Sequence, residues 1–162
     1  MLRAEAPSEV RAVRFRGTER FQLVRLLGRG GMGVVYEAED RELGIRVALK
    51  SLPGLEPSLL RLFKKEFRAA ANIRHRNVVR FGDLFSDGER WFFTMEIVEG
   101  TDLRSYVRCQ SGHLDQARVC EVFSQLAQGL AAIHATGQIH RDIKPSNVLV
   151  SRDGRVDRKS VV

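Results

Sequence analysis

Apolar and polar positions change their spacing twice along the chain, and those changes divide it. Residues 1–20 are polar, contain Pro7 and show no sustained periodicity, which predicts a flexible leader. From Phe21 the texture becomes strand-like. Phe21-Gln22-Leu23-Val24-Arg25-Leu26-Leu27 reads as one strand, Val34-Val35-Tyr36-Glu37-Ala38 as a second, and Arg46-Val47-Ala48-Leu49-Lys50, after a turn around Gly44, as a third. Pro57-Ser58 then opens a helical pattern, with Leu59, Leu60, Phe63, Phe67 and Ala70 at steps near three and four. Residues 78–84 and 90–97 read as two more strands, joined at Ser86-Asp87-Gly88-Glu89. The helical period returns in a short helix over 103–109 and a long one over 114–135. Val119, Val122, Phe123, Leu126, Leu130 and Ile133 make an apolar stripe on the long helix. Gly137 stops it, and 148–156 reads as a hairpin. Five strands with one helix, followed by a mainly helical part, define an α+β chain.

Composition narrows this only a little. A length of 162 residues suits one ordinary domain, or part of a larger one. No apolar run approaches the roughly 18 residues that span a bilayer, and the first residues lack a signal-peptide core, so a cytoplasmic setting is expected. Cys109 and Cys120 lie in separate helical stretches without metal-type spacing and read as reduced packing residues. The net charge of +7 comes largely from scattered arginines. With no basic helix interleaved with aromatics, and acids throughout, nucleic acid is not the expected partner.

Chemistry concentrates in three places. The glycine run Gly28-Arg29-Gly30-Gly31-Met32-Gly33 sits between two strands. A dinucleotide fingerprint needs a helix at its last glycines, and a Walker loop needs Gly-Lys-Ser/Thr; neither is present. What remains is a hairpin, either merely flexible or one whose bare backbone lies over phosphates. Lys50 ends an apolar strand from which it can reach such phosphates if an acid holds it; Glu66, in Lys64-Lys65-Glu66-Phe67-Arg68, is the candidate, although it can also pair with neighbouring lysines or arginines, and Glu56, ahead of the helix, is a weaker rival. The third place is Ile139-His140-Arg141-Asp142-Ile143-Lys144-Pro145-Ser146-Asn147-Val148-Leu149. Here Asp142 can orient a hydroxyl, Lys144 can neutralise charge on a moving phosphoryl group, and Asn147 can offer an oxygen to a hard cation.

Taken together, these motifs resemble the catalytic domain of protein kinases, most closely the bacterial serine/threonine kinases of eukaryotic type. The resemblance runs from Phe21 to Val156 and implies a protein-kinase-like fold. Residues 21–100 would form a five-stranded antiparallel small lobe with one helix and the hinge, and residues 101–156 the start of a mainly helical large lobe. It implies ATP and Mg²⁺ as cofactors and a protein substrate with a serine or threonine acceptor. Asp142, Lys144 and Asn147 would be catalytic, with Asn147 also a metal ligand. Gly28, Gly30, Gly33 and Lys50 would surround the phosphates, Leu27 would belong to the same nucleotide site, and Glu66 would pair with Lys50. Val35, Ala48 and Leu149 would sandwich the adenine with Met95 behind it. The backbone of Glu96 and Val98 would bond its edge, and Asp102 would accept from the ribose, although a helix cap at Thr101 or Asp102 fits the same residues.

Two departures stand out. Arg76 replaces the proline common in the family's loop after the helix. After Val156 the family's Asp-Phe-Gly does not follow; the chain reads Asp157-Arg158-Lys159-Ser160-Val161-Val162, and Asp157 comes too early to replace the missing aspartate. Those six residues match what a common short-read sequencing adapter encodes in one frame, so 157–162 are expected to stand outside the family pattern. As written, the chain is then expected to be an inactive fragment of a kinase, with its long helix uncovered and prone to aggregate. The alternative is a non-catalytic nucleotide-binding or partner-sequestering module.

Overall fold

The computed structural model describes residues 15–30, 33–52, 56–88, 90–108 and 112–158. The leader up to residue 14, the tip Gly31-Met32 of the glycine run, Glu89, Cys109 and residues 159–162 lie outside the described residues.

Strands β1 (Phe21–Gly30), β2 (Gly33–Asp40), β3 (Ile45–Ser51), β4 (Phe81–Asp87) and β5 (Arg90–Met95) form one antiparallel sheet in the order β1-β2-β3-β5-β4. Side chains alternate between its faces. On one face, Ala48, Phe93 and Met95 meet helix α1 (Pro57–Ala71) through Phe67 and Ala70. The Phe67 ring lies 5.6 Å from Phe81 and 5.2 Å from Phe93, and burying each such side chain stabilises the fold by about 1.5–3 kcal/mol. On the other face, Val47, Leu49 and Phe92 pack with Phe21 and Phe15. Phe15 is buried, its ring 5.2 Å from Phe92, so the packed unit begins before the expected boundary at residue 21. Asp40 anchors this entry. It accepts both Arg20 nitrogens (2.9 and 2.7 Å) and the backbone N–H of Glu42 and Leu43, which holds its carboxyl below the usual carboxylate range.

The second half holds β6 (Gly100–Asp102), α2 (Leu103–Tyr106), α3 (Gln116–His134), β7 (Val148–Ser151) and β8 (Val156–Arg158). The expected hairpin is present as β7 and β8, and β6 adds a third strand to it. Strand β8 runs two residues past Val156, pairing Asp157 with Leu149 and Arg158 with Val148. Helix α2 is shorter than the sequence suggests, and β4 starts at Phe81 because Val78 and Val79 are buried in a turn without strand pairing. On α3, Val122, Leu126 and Ile133 are buried as expected, whereas Phe123 is 57% exposed. Cys120 is also exposed, so it is not a packing residue.

A buried polar knot joins the halves. The Asn77 amide donates to Gln125 Oε1 (2.8 Å) and to the Val156 carbonyl (2.9 Å), and the Val156 N–H donates to the same Gln125 oxygen (2.9 Å). Gln125 in turn donates to the Gly154 carbonyl at 2.9 Å.

Candidate active site

A cleft of about 1510 Å³ lies between the sheet and the second half. It collects Leu27, Gly28, Gly30, Gly33, Val35 and Ala48 from the strands above, and Asp142, Lys144, Asn147 and Leu149 from below. Lys50, Glu66, Met95 and Val98 also line it. The walls follow from strand alternation: Val35 pairs with Lys50 and Ala48 with Met95 across adjacent strands.

The glycines divide by physical role. At Gly33 the backbone has φ +120° and a Cβ would collide with the Ser51 carbonyl, so the fold itself requires glycine there. A Cβ at Gly28 or Gly30 would meet nothing within 4 Å. Internal packing therefore does not explain those two glycines, and an open space beneath a bare backbone suits the approach of phosphate oxygens.

Below, the short 3₁₀ turn Pro145–Asn147 swings Asn147 back onto the loop it closes. Its amide donates to Asp142 Oδ2 (2.7 Å) and to the Asp142 carbonyl (3.0 Å), while Lys144 Nζ lies 3.0 Å from Asp142 Oδ1. The Lys144 hydrogen bond, ahead of the Asn147 one, holds the Asp142 carboxyl below the usual carboxylate range. Two neighbours that the sequence reading left without a role shape this loop. His140 is buried and its Nδ1 accepts the Asp142 N–H at 3.3 Å, and Arg141 takes a left-handed φ of 60°, a conformation costly for a non-glycine residue.

Lys50 is only 6% exposed, and burial pushes its ammonium below the ordinary lysine value. The charge of Asp142 opposes that shift and the charge of Lys144 adds to it. Two expected partnerships take another form. Among the ion pairs of the described residues, Glu66 is matched with Arg141 (3.9 Å) rather than with Lys50, because its half-exposed carboxylate stands at the cleft mouth within reach of that strained loop. Asp102 caps α2 instead of facing the cleft: it accepts from Arg104 N (3.0 Å), Ser105 N (3.2 Å) and Ser105 Oγ (2.7 Å), while its neighbour Thr101 lines the cavity. Those bonds, the Ser105 hydroxyl first, lower the Asp102 pKa. Glu96 does not line the cleft either, and its N–H is donated to the Arg80 carbonyl (3.0 Å). Ile97 and Tyr106 line the cavity without having been expected there.

Among the described residues there is no cluster of three or more His, Cys, Asp or Glu able to hold a metal by itself. Asn147 keeps its side-chain oxygen outside the bonds to Asp142, so it can add one ligand to a cation already carried by phosphate oxygens, the usual manner for Mg²⁺.

A glycine flap, a strand lysine and an Asp-Lys-Asn loop facing one cleft define a phosphoryl-transfer fold. The chain belongs to the protein kinase domain family, whose profile matches residues 21–158. It is 41% identical over 139 residues to the serine/threonine-protein kinase pkn2 of Myxococcus xanthus, covering 84% of this chain and 16% of that protein. Similar matches are PknH of Mycobacterium tuberculosis, at 40% over 136 residues (82% of this chain, 22% of the relative), and PknA of the same species, at 34% over 145 residues (85% and 33%). The chain therefore spans between a sixth and a third of the length of these relatives. No helix among the described residues is long and apolar enough to cross a membrane.

Proposed function

We propose that the cleft binds ATP with Mg²⁺ and that the parent protein transfers its terminal phosphate to serine or threonine hydroxyls of a protein substrate, in the cytoplasm. The observation that carries this reading is the Asp142–Lys144–Asn147 cluster sharing one cleft with buried Lys50 beneath glycines that no internal packing demands. The bound nucleotide would supply the phosphoryl group. Val35, Ala48, Met95 and Leu149 offer an apolar slot for a planar base, with the backbone of Val98 and the carbonyl of Glu96 at its edge. Lys50 places a poorly solvated positive charge under the glycine flap, where anionic oxygens gain most from it. Asp142, kept ionised by Lys144 and Asn147, accepts a hydrogen bond from the acceptor hydroxyl and orients its lone pair. Lys144, half out of the loop, can leave that carboxylate to meet charge developing on the phosphoryl oxygens. Glu66 can exchange Arg141 for Lys50 as the cleft closes.

Thermal melting with and without ATP·Mg²⁺ tests the binding half. Nucleotide present at about 100 times its Kd should stabilise the chain by about 2.7 kcal/mol. Lys50→Met should abolish the shift, whereas Asp142→Asn should keep it. An equal shift in Lys50→Met would reject the proposed phosphate site.

A further inference from the structure

The positive charge of the chain is not as scattered as its composition suggests. Helix α1 carries Arg61, Lys64, Lys65 and Arg68 against the single acid Glu66, and the loop after it adds Arg74, Arg76 and Arg80, which accounts for most of the net excess of +7. Lys64 is spent on the Trp91 ring, 4.0 Å away, and Arg74 on the carbonyls of Ala71 and Ile73 that end the helix. Arg61, Lys65 and Arg68 are different. All three are exposed, and among the described residues none takes part in an ion pair or side-chain hydrogen bond. At about 100° per residue they fall in one row on the face opposite buried Phe67 and Ala70.

Such a row works against the helix that bears it. Like charges at i,i+4 (Arg61 and Lys65, Lys64 and Arg68) and at i,i+3 (Lys65 and Arg68) disfavour helical structure, while an ordinary solvated face gains from alternating signs. The helix also begins without a side-chain cap and without an acid in its first turn. On the flank of the row, about 90° round the helix, Leu62 is 53% exposed. Unpaired cations in single file beside a bare leucine form a surface that is complementary to something acidic and partly apolar.

We infer that the outer face of α1, centred on Arg61, Lys65 and Arg68 with Leu62 at its edge, is a docking surface for an acidic protein segment. The row from Arg61 to Arg68 is about 10 Å long at the helical rise, the reach of three or four residues of extended chain. A narrow peptide can therefore set carboxylates along the cations and turn an apolar side chain onto Leu62. A flat anionic membrane fits less well, because the helix's other exposed leucine, Leu59, points well away from the cationic row and cannot enter the same surface. A nucleic acid would find neither a broad cationic face nor an aromatic platform on this helix.

The test uses the full chain, held at low density on a biosensor, with a soluble peptide repeating Glu-Glu-Leu as the probe. The triple variant Arg61→Glu/Lys65→Glu/Arg68→Glu should weaken binding by about tenfold or more, with affinity falling as salt is raised. Arg104→Glu, on α2, should change it little. The uncharged triple variant Arg61→Gln/Lys65→Gln/Arg68→Gln should show an intermediate loss and gives the answer if charge reversal disturbs folding, which circular dichroism reports. Equal binding by wild type and the glutamine variant overturns the inference. So does tighter capture of phosphatidylserine vesicles or an oligonucleotide than of the peptide through the same three residues.

Discussion

At the scale of single residues, Asp142 and Lys50 titrate in opposite senses. The folded pKa of Asp142 lies below its ordinary value of 3.8, so its contribution to stability is present above that value and is lost as pH falls through the folded one. Asp40 and Asp102 have the same sign. Melting temperature should therefore drop on acidification below about pH 4, and Asp40→Asn should remove part of that dependence. Lys144→Ala should let the Asp142 carboxyl rise toward its ordinary value, which a carboxyl NMR titration can follow. Lys50 behaves otherwise. Its folded pKa is below the ordinary 10.5, so between the two values the unfolded chain holds the proton more tightly and stability rises with pH. Lys50→Met should remove that rise, which melting followed against pH reports, even as the variant loses ATP binding; an unchanged pH dependence would contradict this.

At the scale of elements, burial decides which substitutions matter. Phe67→Ala opens the contact between α1 and the sheet and should cost about 3–5 kcal/mol, a large part of a domain's stability, as measured by urea unfolding. Phe123→Ala should stay within about 0.5 kcal/mol. The sequence made those two phenylalanines look alike, because both sit in an apolar helical stripe. The difference is angular. The buried face of α3 is centred on Val122, Leu126, Gly129 and Ile133, and Phe123 falls on its flank. Gly129 was invisible to hydrophobic patterning, since it has no side chain to count. The five-stranded sheet and the order of the site motifs were legible because strand alternation and glycine placement are local properties. The partners of Glu66 and Asp102 were not, because they depend on how a loop with a left-handed Arg141 and a helix start are placed in three dimensions.

At the scale of the whole molecule, apolar surface and a cross-link between the halves set the behaviour. Leu114, Phe123, Ile139 and Ile143 are all exposed, and hiding each is worth up to about 1.5–3 kcal/mol. The chain should self-associate with rising concentration in sedimentation velocity, and Leu114→Gln/Phe123→Gln should reduce it; a single monomeric species at every concentration would refute this. The knot of Asn77, Gln125 and Val156 acts over a longer range. It ties the loop after α1 to the second half, beside the chain crossing at residues 96–99, the Glu66–Arg141 pair and the packing of Ile73 and Val78 on Ile133. The tie sits beside β4 at one edge of the sheet and β1 forms the opposite edge, so a rotation about Asn77 would carry β1 farther than any other strand.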